Sequence, residues 1–231
     1  MMTQSSLCVI PARGGSKRIR NKNMRSFFGK PIISYSIETA LKCGCFKEVM
    51  VSTDEPEIAE LAKKFGAAVP FLRSPQTSGD NAGLAEVLCE VLAQYACRGQ
   101  HFSIIACVLA TAPMLTPADL KTAMDKLIDS RKDGILSVCR YSYPIQRALI
   151  ERGMGLCMKW PKFYRIRSQD LEPCYHDAGQ FYLAHTRAFL RQRRLFLRRM
   201  LKYELPAVRV QDIDTEEDWK MAELKYRFLN G

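Results

Sequence analysis

Apolar and polar positions alternate along the chain in a pattern that predicts repeated strand–helix units. Short apolar runs typical of buried strands occur at residues 7–12, 48–53, 102–109 and 135–139. Apolar residues at helical spacing occur at residues 31–44, 54–65 and 83–97, and in a segment that begins at Thr116. Strands that alternate with helices predict an α/β fold, with a mostly parallel sheet and helices on both faces.

The second half of the chain interrupts this alternation before resuming it. Pro144, Pro161 and Pro173 break the pattern, so we interpret residues 140–178 as a looped, hairpin-rich insertion within one domain that spans residues 1–231. Further elements are then predicted as a strand at 179–184, a helix at 189–200, a strand at 207–210 and a C-terminal helix capped by Thr215. In the first half, we expect Asp54 to cap the helix that follows it, with Glu57 completing the capping box.

Composition narrows the class of protein. The chain has 231 residues, of which 47% are hydrophobic and 26% charged, as in ordinary soluble globular proteins. It contains no apolar run of about 18 residues that would predict a membrane span, and no secretory signal pattern. Its nine cysteines include no C-x-x-C pair, which favours reduced thiols. We therefore expect a cytoplasmic protein with no membrane partner.

The positive net charge of the chain indicates an anionic partner but does not identify it. The formal net charge is +11, which favours nucleic acid, nucleotide phosphates or an acidic surface. Much of the excess comes from an arginine run whose members are Arg187, Arg191, Arg193, Arg194, Arg198 and Arg199. Interleaved apolar residues favour a helix with one buried and one solvated face. Binding of nucleic acid or of an anionic surface is the alternative.

A glycine-containing basic loop follows the first predicted strand. It reads Arg13, Gly14, Gly15, Ser16 and Lys17, and Lys22 and Asn23 follow. Two glycines allow the backbone to approach a ligand closely, and the cationic side chains can bind phosphate. The loop is neither a Walker loop nor a dinucleotide fingerprint. A phosphate site is our interpretation, and a plain turn with solvated lysines is the alternative.

A pair of acidic residues lies near the C-terminus. Asp212 and Asp214 are two positions apart, which places both carboxylates on one face of an extended strand end. Two such oxygen ligands suit Mg²⁺, which bridges carboxylates to substrate phosphates. Alternatively, Asp214 caps the last helix.

Motifs spread over the chain resemble one enzyme family. IPARGGSK at 10–17, GKPII at 29–33, VSTD at 51–54, TAP at 111–113 and DIDTEEDW at 212–219 are similar to motifs of the CMP-sugar synthetases that activate nonulosonic acids. The resemblance implies a Rossmann-like nucleotidyltransferase fold. It also implies attack of a sugar hydroxyl on the α-phosphate of CTP, with Mg²⁺ as cofactor.

Residue roles carried over from that resemblance cover two groups. The nucleotide-binding group comprises Arg13, Gly14, Gly15, Ser16, Lys17, Lys22, Asn23, Arg73 and Asp80. The catalytic group comprises Arg13, Lys17, Asp212 and Asp214, and the two aspartates also hold the metal.

Two stretches resemble the pseudaminic acid branch of the family. They are PIQRA at 144–148 and RSQDLEPCYHDAGQFY at 167–182, so the resemblance implies pseudaminic acid as acceptor. Candidate sugar-binding residues in these stretches are Gln146, Arg147, Arg167, Gln169, Tyr175, His176, Asp177 and Gln180. The alternative without substrate contacts is that His176 and Asp177 pair only with each other and that the arginines are solvated.

Other substrates and another class of function stay open. The acceptor could be N-acetylneuraminate, legionaminate or a deoxyoctulosonate, and a basic α/β protein that binds nucleic acid without catalysis is the non-enzyme alternative. We favour the enzyme, whose partners are CTP and an acidic nine-carbon sugar rather than nucleic acid. The resemblance also implies a homodimer, in which the 140–178 insertion reaches toward the partner's active site.

Overall fold

Repeated strand–helix units run through the computed structural model, which describes residues 5–15, 18–79 and 82–231. The described strands are β1 Ser6–Pro11, β2 Ser26–Phe27, β3 Lys30–Pro31, β4 Glu48–Ser52, β5 Ile104–Val108, β6 Gly134–Arg140, β7 Leu149–Arg152, β8 Gly155–Met158, β9 Tyr175–His185 and β10 Met200–Glu204. The described helices are α1 Ile32–Lys42, α2 Pro56–Lys64, α3 Pro75–Ser78, α4 Leu84–Ala96, α5 Pro117–Asp129, α6 Thr186–Gln192 and α7 Glu216–Asn230.

One six-stranded sheet organises the described part of the chain. Its strand order is β10-β6-β9-β5-β1-β4. The pairs β1–β4, β1–β5 and β10–β6 are parallel, whereas β9 runs antiparallel to both β5 and β6. The carboxyl ends of β1, β4, β5, β6 and β10 therefore share one edge, which we call the carboxyl edge, and the opposite edge is the amino edge. The α/β prediction with a mostly parallel sheet is confirmed.

Apolar strands are buried on both faces of this sheet. In β1, Cys8 and Ile10 pack in the cluster that includes residues of α1, α2 and α5. Leu7 and Val9 pack in the opposite cluster, with residues of α4 and α6. A strand covered on both sides carries a continuous apolar run rather than alternation, which explains the sequence of residues 7–12 and confirms helices on both faces.

Capping chemistry explains where several helices begin. Thr116 and Thr215 accept hydrogen bonds from the backbone of Asp119 and Asp218, and both caps are complete capping boxes, as expected for Thr215. The prediction for Asp54 is wrong, because Glu55 is the N-cap of α2 and no side chain caps it. The Asp54 carboxylate instead accepts a hydrogen bond from the Gly14 backbone, at 3.1 Å.

The arginine-rich segment contains a shorter helix than predicted. α6 ends at Gln192, and Arg193 adopts a left-handed conformation with φ +47°. The Gln192 Oε1 then accepts a hydrogen bond from the Arg198 backbone at 2.9 Å, which holds the following segment as a loop. β10 begins at Met200 and pairs with β6, and the strand predicted at 207–210 is a single 3-10 turn at Ala207–Arg209.

The insertion lies between β6, which ends at Arg140, and β9, which begins at Tyr175. Its regular structure is the β7–β8 hairpin and short 3-10 turns, in keeping with a hairpin-rich segment.

All nine cysteines are free thiols in the structure. Within the described residues, each helix lacks either the length or the apolarity that a membrane span requires.

Candidate active site

A cleft of about 500 Å³ opens at the carboxyl edge of the sheet. Its walls come from the loop after β1, the end of β5, the segment around α3 and the segment before α7. Side chains of the predicted nucleotide and metal sets meet there, namely Arg13, Lys22, Asn23, Arg73 and Asp214. Ligands of open α/β sheets bind at this edge, so the cleft is the candidate active site.

The glycine loop begins close to β4 and α2. The Ala12 backbone donates to the Ser52 carbonyl at 2.9 Å, and Gly14 donates to Asp54. A side chain at Gly14 would place its Cβ 3.0 Å from the Glu55 Cβ and 2.8 Å from the Glu55 Oε2, so the close approach requires glycine. The Gly14 N–H is therefore paired within the protein, whereas Gly15 is exposed. Ser16, Lys17 and Asp80 lie outside the described residues.

Asn23 and Arg73 are fixed by buried hydrogen bonds. The Asn23 amide donates to the Arg13 carbonyl at 3.1 Å and closes the loop between them. The Arg73 guanidinium donates to the Ser52 hydroxyl at 3.1 Å and also to the Ser52 carbonyl. Burial lowers the pKa of Arg73, although an arginine keeps its charge in proteins. The result is a preoriented cation in the wall of the cleft.

Ile213 anchors the acidic segment to the protein. It is fully buried in a cluster with Phe27, Tyr35 and Trp219, whose rings meet edge to face at 5.6 Å for both Phe27–Tyr35 and Phe27–Trp219. Because neighbouring side chains of an extended segment point to opposite sides, burying Ile213 turns the flanking aspartates away from this cluster.

Basic residues of the glycine loop meet that segment. The Lys22 Nζ donates to the Ile213 carbonyl at 2.5 Å and lies 3.4 Å from the Asp214 carboxylate. Arg18, which none of the sequence motifs indicated, forms an ion pair with Asp214 at 3.1 Å. The strand end predicted for this acidic pair is wrong, because Ala207–Arg209 forms a 3-10 turn and residues 211–214 form no strand.

Asp212 differs from Asp214 in its electrostatics. Its side chain is exposed to solvent, but desolvation by surrounding protein atoms, and then the nearby Asp214 charge, raise its pKa. A cation bound at this pair would relieve that repulsion. Among the described residues, no group of three histidine, cysteine or acidic side chains could hold a metal. Two carboxylates nevertheless suit Mg²⁺ that takes its other ligands from water and phosphate.

The candidate sugar residues of the insertion lie away from this cleft. Gln146 is buried and donates to the Glu172 carbonyl at 2.7 Å. Arg147 donates to the Ile166 carbonyl at 2.7 Å, and Arg167 pairs with Asp170 at 2.8 Å. Gln169 is exposed. The side chains of these four residues therefore do not line the cleft of their own chain.

Residues at the start of β9 lie nearer the cleft. A methyl group added at Gly179 would come within 3.9 Å of the Asp212 Cγ. The Asp177 carboxylate accepts hydrogen bonds from the Gly179 backbone at 2.9 Å and from the Tyr182 hydroxyl. Gln180 is buried and donates to the Ala178 carbonyl. The sequence does not indicate the contact of Tyr182 with Asp177, because a tyrosine within an apolar strand is expected to pack in the core.

His176 and Tyr175 make local contacts. The His176 ring contacts its neighbour's carbonyl, with 2.8 Å between Nδ1 and the Asp177 oxygen, and meets Tyr141 edge to face. The two residues are therefore joined through the Asp177 backbone carbonyl, and the Asp177 carboxylate binds Gly179 and Tyr182, so His176 and Asp177 do not pair only with each other. The Tyr175 hydroxyl accepts from Lys202.

A buried ion pair braces the segment that leads to Asp212. The Arg209 guanidinium contacts the Asp119 carboxylate and donates to the Met114 carbonyl at 3.1 Å. Burial alone would raise the pKa of Asp119, but hydrogen bonds from Arg209 and Thr116 outweigh it and lower the pKa. This pair joins the loop after β5 to the turn that precedes Asp212.

Comparison with known proteins identifies the family. The family model described as "Cytidylyltransferase" matches residues 7–205. The chain belongs to the cytidylyltransferase family. This cytidylyltransferase is 41% identical over 223 residues to the pseudaminic acid cytidylyltransferase of Campylobacter jejuni subsp. jejuni serotype O:2, covering 96% of each chain. It is 30% identical to the CMP-N,N'-diacetyllegionaminic acid synthase of Legionella pneumophila, covering 94% of each.

Solved structures show the same fold. A CMP:2-keto-3-deoxy-manno-octonic acid synthetase complexed with CTP superposes with a TM-score of 0.72 at 18% identity, covering 97% of this cytidylyltransferase and 99% of that chain. The Rossmann-like nucleotidyltransferase fold is therefore confirmed.

Replacing Asp119 by asparagine should destabilise this cytidylyltransferase by about 3 kcal/mol at pH 7, because it leaves a partly buried Arg209 charge uncompensated. A carboxylate whose pKa is lowered by folding stabilises the protein above its unfolded pKa of about 3.9. The deficit should therefore shrink as the pH falls below that value towards the lowered pKa of Asp119 in the folded protein. Urea unfolding between pH 7 and pH 3 measures both effects.

The control is Asp125→Asn, which removes an exposed pair with Lys121 on the same helix and should change stability by less than about 1 kcal/mol. Equal effects of the two substitutions, or a deficit independent of pH, would contradict the role assigned to the buried pair.

Proposed function

We propose that this cytidylyltransferase transfers CMP from CTP to the anomeric hydroxyl of pseudaminic acid and releases pyrophosphate. The observation that carries the proposal is the 41% identity, over 96% of the chain, to a relative named for that activity. The cleft supports it, since Asp214, one member of the acidic pair, lines it together with cationic side chains. Phosphoryl transfer requires from the protein mainly positioning and charge neutralisation, and these side chains supply both.

In the proposed reaction, Arg13, Lys22 and Arg73 bind the triphosphate, and Asn23 maintains the loop conformation. Arginine can grip a phosphate through two parallel hydrogen bonds, and the buried contacts of Arg73 with Ser52 orient its guanidinium before the nucleotide arrives. Ser16, Lys17, Gly15 and Asp80 complete the proposed nucleotide set. Arg13 and Lys17 stabilise charge on the phosphates as the sugar oxygen attacks the α-phosphate and the bond to pyrophosphate breaks.

The proposed cofactor is Mg²⁺, held by Asp212 and Asp214. When bound, it neutralises phosphate charge and lowers the pKa of the attacking hydroxyl or of a water that deprotonates it. Lys22 and Arg18 hold Asp214 in place, and the buried Ile213 fixes both carboxylates.

The proposed acceptor site includes the start of β9, where Gly179 lies close to the Asp212 side chain and the Asp177 carboxylate accepts from the Gly179 backbone. Gln146, Arg147, Arg167, Gln169, Tyr175, His176 and Gln180 remain proposed members of the sugar set. The free thiols and the use of CTP fit a reaction in the cytoplasm.

A homodimer is the proposed assembly. The insertion exposes large apolar side chains, among them Tyr143, Leu149, Met154, Leu156 and Tyr164, and an exposed apolar patch commonly marks an interface. Its candidate sugar residues lie away from the cleft of their own chain. Both observations support an insertion that reaches the partner's active site.

Pyrophosphate release tests the reaction and its acceptor. With CTP and Mg²⁺, we expect release with pseudaminic acid and much slower release with N-acetylneuraminate, legionaminate or a deoxyoctulosonate offered separately. Release with another of these sugars would contradict the acceptor and retain the reaction. Binding of nucleic acid with no release from any sugar would favour the non-enzyme alternative.

Asp212→Asn and Asp214→Asn should each lower turnover by about a hundredfold or more, since each removes a proposed metal ligand. Both should also weaken Mn²⁺ binding, measured by electron paramagnetic resonance without substrate. Glu217→Gln is the matched control, because Glu217 is an exposed acid nearby on α7. Unchanged turnover and Mn²⁺ affinity in the Asp212 and Asp214 variants would exclude the metal role.

Sedimentation equilibrium should give twice the mass of one chain. The double substitution Leu149→Ser with Leu156→Ser should produce monomers and reduce sugar turnover while CTP affinity is kept. Phe228→Ser, at an exposed apolar position on α7, should leave the dimer intact. A monomeric unsubstituted protein with full activity would contradict the proposed assembly.

A further inference from the structure

A second concave site lies among the arginines that follow β9. It has a volume of about 520 Å³ and is lined by Asp133, Gln192, Arg191, Arg194, Arg198 and Arg199. We call it the arginine pocket. Its volume lies within the range of small-molecule sites.

The arginine pocket is separate from the candidate active site. Asp133 precedes β6 and Arg199 precedes β10, so the pocket lies at the amino edge of these parallel strands. The cleft lies at the carboxyl edge. A strand of seven residues such as β6 spans roughly 20 Å, which sets the scale of the separation along the sheet.

Positive charge dominates the pocket. Among the described residues, Asp133 is the one acidic residue that lines the pocket. The Asp133 Oδ2 accepts from the Gln192 amide at 3.0 Å and lies 3.9 Å from the Arg191 guanidinium. The Arg198 and Arg199 side chains have no hydrogen-bond or ion-pair partner among the described residues. Four guanidinium groups around one concavity repel each other, and a bound anion would remove that cost.

Backbone contacts hold the arginines at this position. Gln192 donates to Asp133 through its amide and accepts from the Arg198 backbone at 2.9 Å. The Asp133 backbone donates to the Arg199 carbonyl at 2.7 Å. These bonds close the loop between α6 and β10, so the donors project from a fixed framework, and less ordering is needed when a ligand binds.

We propose that the arginine pocket is a second binding site, which takes a compact soluble anion carrying two or more phosphate groups. Guanidinium groups match phosphate oxygens in charge and in bidentate geometry. The concave shape favours a small polyphosphate, such as pyrophosphate or a nucleotide tail, over the flat surface of a membrane. This site goes beyond the transfer reaction and does not depend on which sugar is the acceptor.

Calorimetric titration with inorganic tripolyphosphate tests the site in the full chain. The unsubstituted protein should bind two equivalents, one in the cleft and one in the arginine pocket. Arg198→Gln with Arg199→Gln should lose one equivalent or weaken it about tenfold for each guanidinium removed. Arg187→Gln with Arg227→Gln removes the same charge from exposed positions outside the pocket and should retain both equivalents.

Equal loss of binding in the two double variants would overturn the proposal, because it would reduce the effect to net charge. A single equivalent in the unsubstituted protein that the Arg198 and Arg199 variant retains would also overturn it. Preferential binding to vesicles of anionic phospholipid, lost in the Arg198 and Arg199 variant without any change in tripolyphosphate binding, would reassign the pocket to a membrane surface and contradict the soluble ligand. Pyrophosphate release should continue in both variants, which separates this test from that of the proposed reaction.

Discussion

The contact of Lys22 with the Ile213–Asp214 segment is the constraint on which the candidate active site depends. It joins the loop after the first strand to residues about 190 positions later. Ile213 enters a cluster of aromatic rings, while its carbonyl and the neighbouring carboxylate receive the Lys22 ammonium. Burial of Ile213 thus stabilises the contact between the two segments, and the polar contacts of Lys22 fix their relative position. The ion pair between Arg18 and Asp214 adds a second link between the basic loop and the acidic segment.

Charges of both signs are arranged around the cleft in a way that an incoming nucleotide would complete. Arg73 is buried against Ser52, so its guanidinium is held in place at the cost of desolvation. The carboxylate of Asp212 is also destabilised in its charged form, because desolvation and the Asp214 charge raise its pKa. A triphosphate would offset the first and a divalent cation the second. The proposed nucleotide and metal ion would therefore offset these two electrostatic costs.

Much of the fold could be predicted because local patterns dominate it. The apolar run of β1, the threonine caps of α5 and α7 and the hairpin content of the insertion follow from periodicity and side-chain chemistry. The segment after β9 could not be predicted, because helical spacing continues past Gln192. There the Gln192 contacts with Asp133 and the Arg198 backbone end the helix, and no local pattern indicates a contact between residues so far apart in the chain.

The candidate site was predictable in its motifs but not in its pairings. Loop composition indicated Arg13, Lys22 and Asn23, and the acidic pair stood out by spacing. Asp54 was predicted to cap a helix, but its carboxylate binds the Gly14 backbone. Both roles require an acidic side chain at this position, so the sequence does not distinguish them. For residues such as Gln146, polarity alone cannot distinguish a ligand contact from a buried hydrogen bond within the insertion.

A crystal structure with CTP and Mn²⁺, read by anomalous scattering, tests the central claim most directly. The account predicts a manganese peak within about 2.3 Å of oxygens of Asp212 and Asp214, with the triphosphate between Lys22, Arg13 and Arg73. A metal bound away from both aspartates, or a triphosphate held outside this cleft, would contradict it.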